Sequence, residues 1–291
     1  MPKLKSLMER FLDDWRDDIA QPWRSLLYGI EPDLDAIDPA LEAAEDEVVF
    51  PGRKGHEPPD APVGSHVFRA LDGILPPNVR AIVVGQDPYP RVSRATGRAF
   101  EQGDLESWAS TTPRVALSLK RIIQQAASAR TGDSVYTATP GGWAHVVKDV
   151  QSGALHLETP QQLFDHWQAQ GVLFLNTGLT LTRYKQGGHP HQLNGHIPLW
   201  APVVGAICSR LALRDDTPLV FLSWGSKARR FLFNAKIITS PSQPSAIEQS
   251  LPNTGIVDRS HPAVSSFLSG KNLFDEANEI LGDLGANRIS W

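Results

Sequence analysis

Residues 80 to 90 read Arg-Ala-Ile-Val-Val-Gly-Gln-Asp-Pro-Tyr-Pro, an apolar, β-branched run that halts at a glycine and turns on two prolines. The run has the length and composition of a buried strand, and Pro88 and Pro90 forbid a helix from continuing through the turn. Asp87 is therefore held on a stiff corner at a strand end. Taken alone, Gly85-Gln86-Asp87-Pro88 is also compatible with an ordinary tight turn. Two further stretches repeat the arrangement. Residues 171 to 177, Gly-Val-Leu-Phe-Leu-Asn-Thr, are an apolar run ending in the amide of Asn176, and the short run Gly255-Ile256-Val257-Asp258 is followed by Ser260-His261-Pro262. An acid, an amide and an imidazole thus stand at three strand exits. In an open parallel sheet, ligands bind in the crevice outside the carboxyl ends of the strands, so groups far apart in sequence converge there.

The rest of the chain alternates in the same way. Strands are predicted at 79 to 84, 171 to 176, 218 to 224 and 255 to 258, with helices around 114 to 129, 198 to 211, 226 to 233 and 271 to 284. Such alternation argues an α/β fold with a parallel, helix-flanked sheet. The segments 101 to 113, 131 to 160 and 240 to 254 are rich in Gly, Pro, Ser and Thr and are predicted as extended loops. Loops at strand ends are where substrate preference is set.

A length of 291 residues and 41% hydrophobic content suit one large α/β domain with an appendage. The charge divides the chain: residues 1 to 50 hold 13 acidic against 5 basic side chains, a balance of −8, and the remainder holds 23 basic against 19 acidic, or +4. An acidic helical extension and linker over 1 to 62 is therefore predicted to precede an α/β domain over 63 to 291. Within the extension, Leu4, Leu7, Met8, Phe11, Leu12 and Trp15 recur at helical spacing. This stripe reads either as a face docked on the domain or as an arm that binds a partner or mimics a DNA backbone. The Pro- and Gly-rich stretch 51 to 62 reads as a linker or as a rigid wall beside a ligand. No run approaches the ~18 apolar residues of a membrane span, the N-terminus has no targeting pattern, and a lone Cys208 allows no intramolecular disulfide. A monomer in a reducing cytoplasm, with no membrane partner, is the expectation.

Motif order adds a resemblance. Gly-Gln-Asp-Pro-Tyr at 85 to 89, Gly-Arg-Ala-Phe at 97 to 100, Leu-Phe-Leu-Asn-Thr-Gly-Leu-Thr at 173 to 180, Phe-Leu-Ser-Trp-Gly-Ser at 221 to 226 and His-Pro at 261 and 262 resemble, in that order, the uracil-DNA glycosylase superfamily, family 1 type. The resemblance spans roughly residues 64 to 282, and the joint order is more specific than any one motif. It implies a three-layer α/β/α fold with a central, mostly parallel four-stranded sheet. Superfamily branches that carry an iron-sulfur cluster on four cysteines are excluded by the single Cys208, and no metal or other cofactor is implied.

The resemblance also assigns roles. Asp87 stabilises a cationic sugar and orients the attacking water, and His261 donates a hydrogen bond to O2 of the departing base. Asn176 reads the N3–H and O4 of uracil through its amide, Tyr89 crowds the C5 position, Gln86 lines the base pocket, and Phe100 stacks under the extruded ring. On spacing alone Phe100 also reads as a core residue and Tyr89 as a turn aromatic on Pro88. Ser118, Ser226 and Ser266 match hydroxyls that clamp DNA phosphates, and Arg91, Arg94, Arg98, Lys227, Arg229 and Arg230 are predicted to add charge around the pocket.

The chain departs from the family pattern at Pro90, where histidine is usual, and at Ser265, where a leucine wedge is usual. Either Val264 or Phe267 substitutes for the wedge, or flipping is assisted differently. The partner implied is single- or double-stranded DNA with one extruded base, acted on in repair or in defence against foreign DNA. Three other readings stand beside uracil excision: release of a modified pyrimidine from foreign DNA, a non-catalytic binder of nucleic acid or protein, and a metal hydrolase built on His189, His191 and His196.

Overall fold

The structure is a computed structural model that describes residues 2–139, 141–244 and 251–291. Four strands, β1 (Ala81–Gly85), β2 (Val172–Asn176), β3 (Leu219–Trp224) and β4 (Thr254–Arg259), form one sheet in the order β2-β1-β3-β4. Every pairing in it is parallel, so the expected mostly parallel sheet is wholly so. The strand order reverses between β1 and β3, which opens the crevice of a doubly wound sheet beside the β1 exit.

The helices are α1 (Leu4–Phe11), α2 (Gln21–Leu26), α3 (Leu117–Thr131), α4 (Gly142–Ser152), α5 (Pro160–Ala169), α6 (Ile197–Ala212), α7 (Ser226–Asn234) and α8 (Leu273–Asp283). The period-2 alternation of strand side chains divides the core. Ile82, Val84, Leu173, Leu175, Leu219 and Phe221 face a layer containing α6, α7 and the N-terminal helices. Ala81, Val83, Val172, Phe174, Val220 and Leu222 face α3, α5 and α8. This is the three-layer α/β/α architecture.

The N-terminal stripe docks. Leu4, Met8, Leu12 and Trp15 are buried in the same apolar cluster as Ile82 and Val84, and the Trp23 indole donates to the Ile74 carbonyl at 2.8 Å. Burying side chains of this size contributes ~1.5–3 kcal/mol each. The helix itself is shorter than its stripe, because α1 ends at Phe11 and Trp15 opens a separate 3-10 turn after Asp14 adopts a left-handed φ of 49°.

The loop expected over 131 to 160 is instead interrupted by α4 and abuts α5. Gly141 and Gly153, both at positive φ, bound α4, and a capping box between Thr159 and Gln162, with Pro160 at the first helical position, starts α5. The Gly and Pro residues that suggested a loop are therefore helix punctuation. Residue 140, and residues 245–250 of the loop expected over 240 to 254, lie outside the described residues. No described helix is long and apolar enough to cross a membrane.

Candidate active site

At the carboxyl end of β1, the turn delivers Gln86, Asp87, Pro88 and Tyr89 to the rim of a cavity of about 220 Å³. Phe100, Ser118, Asn176, Gln192, Lys227 and His261 also line it. Its volume lies below the ~300–1,000 Å³ of most small-molecule sites, which suits a single ring rather than a larger ligand. The three strand exits singled out in the sequence, at Asp87, Asn176 and His261, open on this one space. A larger cavity of about 660 Å³, between the N-terminal segment and residues 52 to 58, has its chief cation already engaged: Arg53 donates to Asp18 and to the carbonyls of Phe11, Asp13 and Asp14.

Asn176 is the last residue of β2 and lies opposite Gly85 in the parallel ladder. Its carboxamide is 2% exposed and has no hydrogen-bond partner among the described residues. A buried, unpaired amide at a cavity wall is a donor and acceptor pair held ready for a ligand. It fits because Gly85 has no side chain; a Cβ there would stand 2.3 Å from Asn176 Oδ1 and 2.7 Å from Ala99 Cβ.

Asp87 is largely enclosed. Oδ1 is buried without a partner and Oδ2 accepts from Gln192 Nε2. Burial pushes its carboxyl up to about 6, against the opposing influence of the Gln192 hydrogen bond, the Lys227 charge and the Gln86 side chain. A carboxylate that titrates near neutrality in a cleft is a functional signature.

His261 follows β4 on an exposed loop, and its Nδ1 accepts the backbone N–H of Ala263 at 3.0 Å. The neutral ring must then carry its proton on Nε2, a free donor. Burial, joined by the Lys227 charge, lowers its pKa and favours that neutral form. Gly225 makes the approach possible, since it sits at a φ of 93° and a Cβ on it would lie 3.0 Å from the His261 Cβ.

Phe100 is half-buried at a left-handed φ of 63° and lines this cavity and a neighbouring one of about 260 Å³. Trp224 braces its ring at a centroid distance of 5.3 Å, and Phe267 braces Trp224 in turn at 5.3 Å. It is not a core residue. The Tyr89 hydroxyl faces the Phe100 carbonyl at 3.4 Å, and burial raises the phenol above its usual range, keeping it protonated.

Among the serines, Ser118 in the first turn of α3 lines the cavity and Ser226, the first residue of α7, lines its neighbour. Ser266 stands apart on the exposed 265–268 turn, where its hydroxyl donates to Ser260 Oγ at 2.9 Å. Of the six predicted cations, Lys227 lines the cavity, whereas Arg94, Arg98 and Arg229 are held by Asp104, by Glu101 and Asp165, and by Asp258 respectively. Arg98 is buried and serves the fold. Of the two side chains weighed as a wedge, Phe267 is 0% exposed and belongs to the core, whereas Val264 is 47% exposed.

Sequence reasoning missed Gln192, Lys185 and Tyr184, which line the cavity from the segment between β2 and α6. The histidines of this segment form a hydrogen-bonded chain. His191 Nε2 donates to the Glu42 carbonyl at 3.0 Å, so its Nδ1 accepts from Thr182 Oγ1 at 2.8 Å. Thr182 in turn accepts from His196 Nε2 at 3.0 Å, His196 Nδ1 accepts from Thr180 at 2.9 Å, and Thr180 accepts from the Trp200 indole at 2.7 Å. One set of neutral tautomers satisfies every link. Burial drives the His196 pKa down to about 3 and lowers that of His191, in keeping with neutral rings. His191 and His196 are thus bound to threonines, and no cluster of metal-ligating side chains occurs among the described residues.

No family model matches the chain. It is, however, 29% identical over 231 residues to the uracil-DNA glycosylase of Bordetella petrii, covering 77% of this chain and 71% of that protein. It is 27% identical over 287 residues to the uracil-DNA glycosylase of Bordetella pertussis, covering 95% of this chain and 85% of the relative. The UNG crystal structure from Nitratifractor salsuginis shares its fold at a TM-score of 0.59 and 20% identity, over 98% of both chains. Over most of its length the chain is thus similar to proteins named uracil-DNA glycosylase. The shared fold includes the four-stranded parallel sheet, and the stretches that carry the resemblance, Gly85-Gln86-Asp87-Pro88-Tyr89, Asn176 and His261, meet at the cavity.

Proposed function

We propose that the protein is a monofunctional DNA glycosylase that extrudes a pyrimidine, uracil first, and hydrolyses its N-glycosidic bond to leave an abasic site. The observation that carries this reading is the convergence of Asp87, Asn176 and His261 on one ring-sized cavity that Phe100 also lines. Its relatives are named uracil-DNA glycosylases.

The residues divide the chemistry by charge. Breaking the bond between C1′ and the base leaves positive charge on the sugar and negative charge on the base, and the two need opposite partners. Ionised Asp87 faces the sugar cation and orients the water that attacks C1′. The Nε2–H of neutral His261 donates to O2 of the leaving uracil anion, a preorganised donor where charge develops. The Asn176 amide pairs with N3–H and O4, a pattern that cytosine presents in reverse. Tyr89 closes the C5 side against the methyl group of thymine. Lys227 serves both ends, since its charge favours ionised Asp87 and neutral His261. Ser118 and Ser226, in the first turns of α3 and α7, are suited to flanking phosphates. Val264 takes the part of the wedge that holds the vacated stack open.

The test is release of free base from oligonucleotides containing uracil, thymine, cytosine or 5-substituted uracils, scored with alkali-labile abasic sites. Uracil release in the presence of chelator supports the reading. Release from a bulky modified pyrimidine but not from uracil replaces the substrate, and release of no base at all overturns the enzymatic assignment.

A further inference from the structure

Gln192 is 3% exposed, yet the end of its side chain reaches the reaction cavity. Its Oε1 accepts the backbone N–H of His189 at 3.2 Å, and its Nε2 donates to Asp87 Oδ2. The first contact decides the second: with the oxygen committed to a donor, only the nitrogen end can face the carboxylate. The reversed amide would oppose two acceptors at Asp87 and two donors at His189.

The backbone that carries Gln192 is fixed independently. Gln192–His196 is a π-helical stretch that leads into α6, a wide turn that recurs at functional sites. On either side of Gln192, His191 and His196 are tied through Thr182 and Thr180 to the segment after β2, and through the Glu42 carbonyl to the N-terminal region. The amide is therefore preorganised by the scaffold rather than recruited by a ligand.

We propose that Gln192 is the positioning residue of the reaction centre: its scaffold-oriented N–H holds the Asp87 carboxylate in one rotamer and in its charged form opposite the sugar. This deepens the glycosylase reading and rests on it for the reaction, though not for the state of the carboxylate itself. Hydrogen bonds to charged groups are among the stronger ones in proteins, more so where water is excluded. Burial already draws the Asp87 carboxyl up to about 6, so a loss of this donor falls where it changes the ionised fraction at neutral pH. The other titratable groups around Asp87 are Lys227 on α7, Lys185 and Tyr184 before α6, His261 after β4 and Tyr89 on its own turn, with His189 behind Gln192. All remain in place when Gln192 alone is changed.

Gln192→Leu removes the donor at similar volume, and Gln192→Glu keeps the acceptor for His189 while replacing the donor with a second acid. The Asp87 carboxyl is titrated by carbon-13 NMR in the wild type and both variants without DNA, and kcat and KM for uracil release are measured from pH 5 to 9. Both variants are expected to raise the Asp87 pKa, by about one to two units. Through the ionised fraction they are expected to lower kcat about 2- to 10-fold at pH 7, with KM changed less than kcat and the deficit shrinking as pH rises. An Asp87 pKa unchanged in the variants overturns the proposal even if the wild type releases no uracil. A pH-independent loss of kcat in an active enzyme also overturns it, since that is the mark of mere distortion. Melting curves of both variants set the pH range, and if the leucine variant does not fold the glutamate variant carries the test.

Discussion

Gly85 and Asp87, two residues apart, shape two sides of the cavity in which the proposed reaction runs. A methyl group on Gly85 would collide with the Asn176 amide oxygen at 2.3 Å. Gly85→Ala is therefore expected to displace the amide and lower kcat/KM for uracil release by about 100-fold, the scale of a small misplacement of a positioned group. In the proposed reaction Asp87 faces the sugar ionised, and its carboxyl sits near 6, so kcat/KM is expected to fall as pH drops through about 6. Lys227→Met removes a cation that favours both charged Asp87 and neutral His261. The acid limb is expected to move to higher pH in that variant, which a pH profile of both proteins checks. These residues were legible in the sequence because strand exits and turn prolines leave a local signature. Gln192 was not legible, because its partner is Asp87, 105 positions away, and nothing local distinguishes it from any helical glutamine.

At the scale of elements, the π-helical entry to α6 depends on a chain of neutral histidines and threonines. Thr182→Val keeps the shape but leaves His191 Nδ1 and the His196 Nε2–H without their partner. Each orphaned buried group costs ~1–3 kcal/mol, so a melting temperature several degrees below the wild type is expected, with a lower kcat through Gln192. Stability also carries a pH signature from this chain. The His196 pKa falls from 6.5 to about 3 on folding, so below about 6.5 the unfolded chain binds more protons and this histidine's contribution to stability declines as pH falls. Asp87 acts in the opposite sense, because its raised pKa makes the folded chain the better proton binder between 3.8 and about 6. The strands and α6 to α8 were legible from periodicity, whereas α4 and α5 were obscured by their flanking glycines and proline. The capping pattern of Thr159, Pro160 and Gln162 was present in the sequence and marks the start of α5. The histidines resembled ligands because their threonine partners become neighbours only after folding.

Across the whole molecule, the acidic N-terminal segment is built into one face of the sheet, and much of the charge predicted around the pocket is consumed internally by Arg94, Arg98 and Arg229. On the proposed reading, the grip on DNA rests on few cations and on Val264, a smaller wedge than leucine. Activity on single-stranded uracil DNA is expected to exceed that on duplex, and Val264→Leu to narrow the gap while leaving the single-stranded rate unchanged, as paired assays of both substrates will read. Parallel order and layer architecture were legible because alternation of elements dictates them; the pairing state of surface arginines was not, because it depends on partners brought in by folding.

Release of uracil from a defined single-stranded oligonucleotide by the wild type and by Asp87→Asn, measured in single turnovers at pH 7.5, bears most directly on the catalytic assignment. The cavity chemistry predicts free uracil and an alkali-labile site from the wild type and a loss of at least about 100-fold in the variant. Equal rates from the two proteins would contradict it.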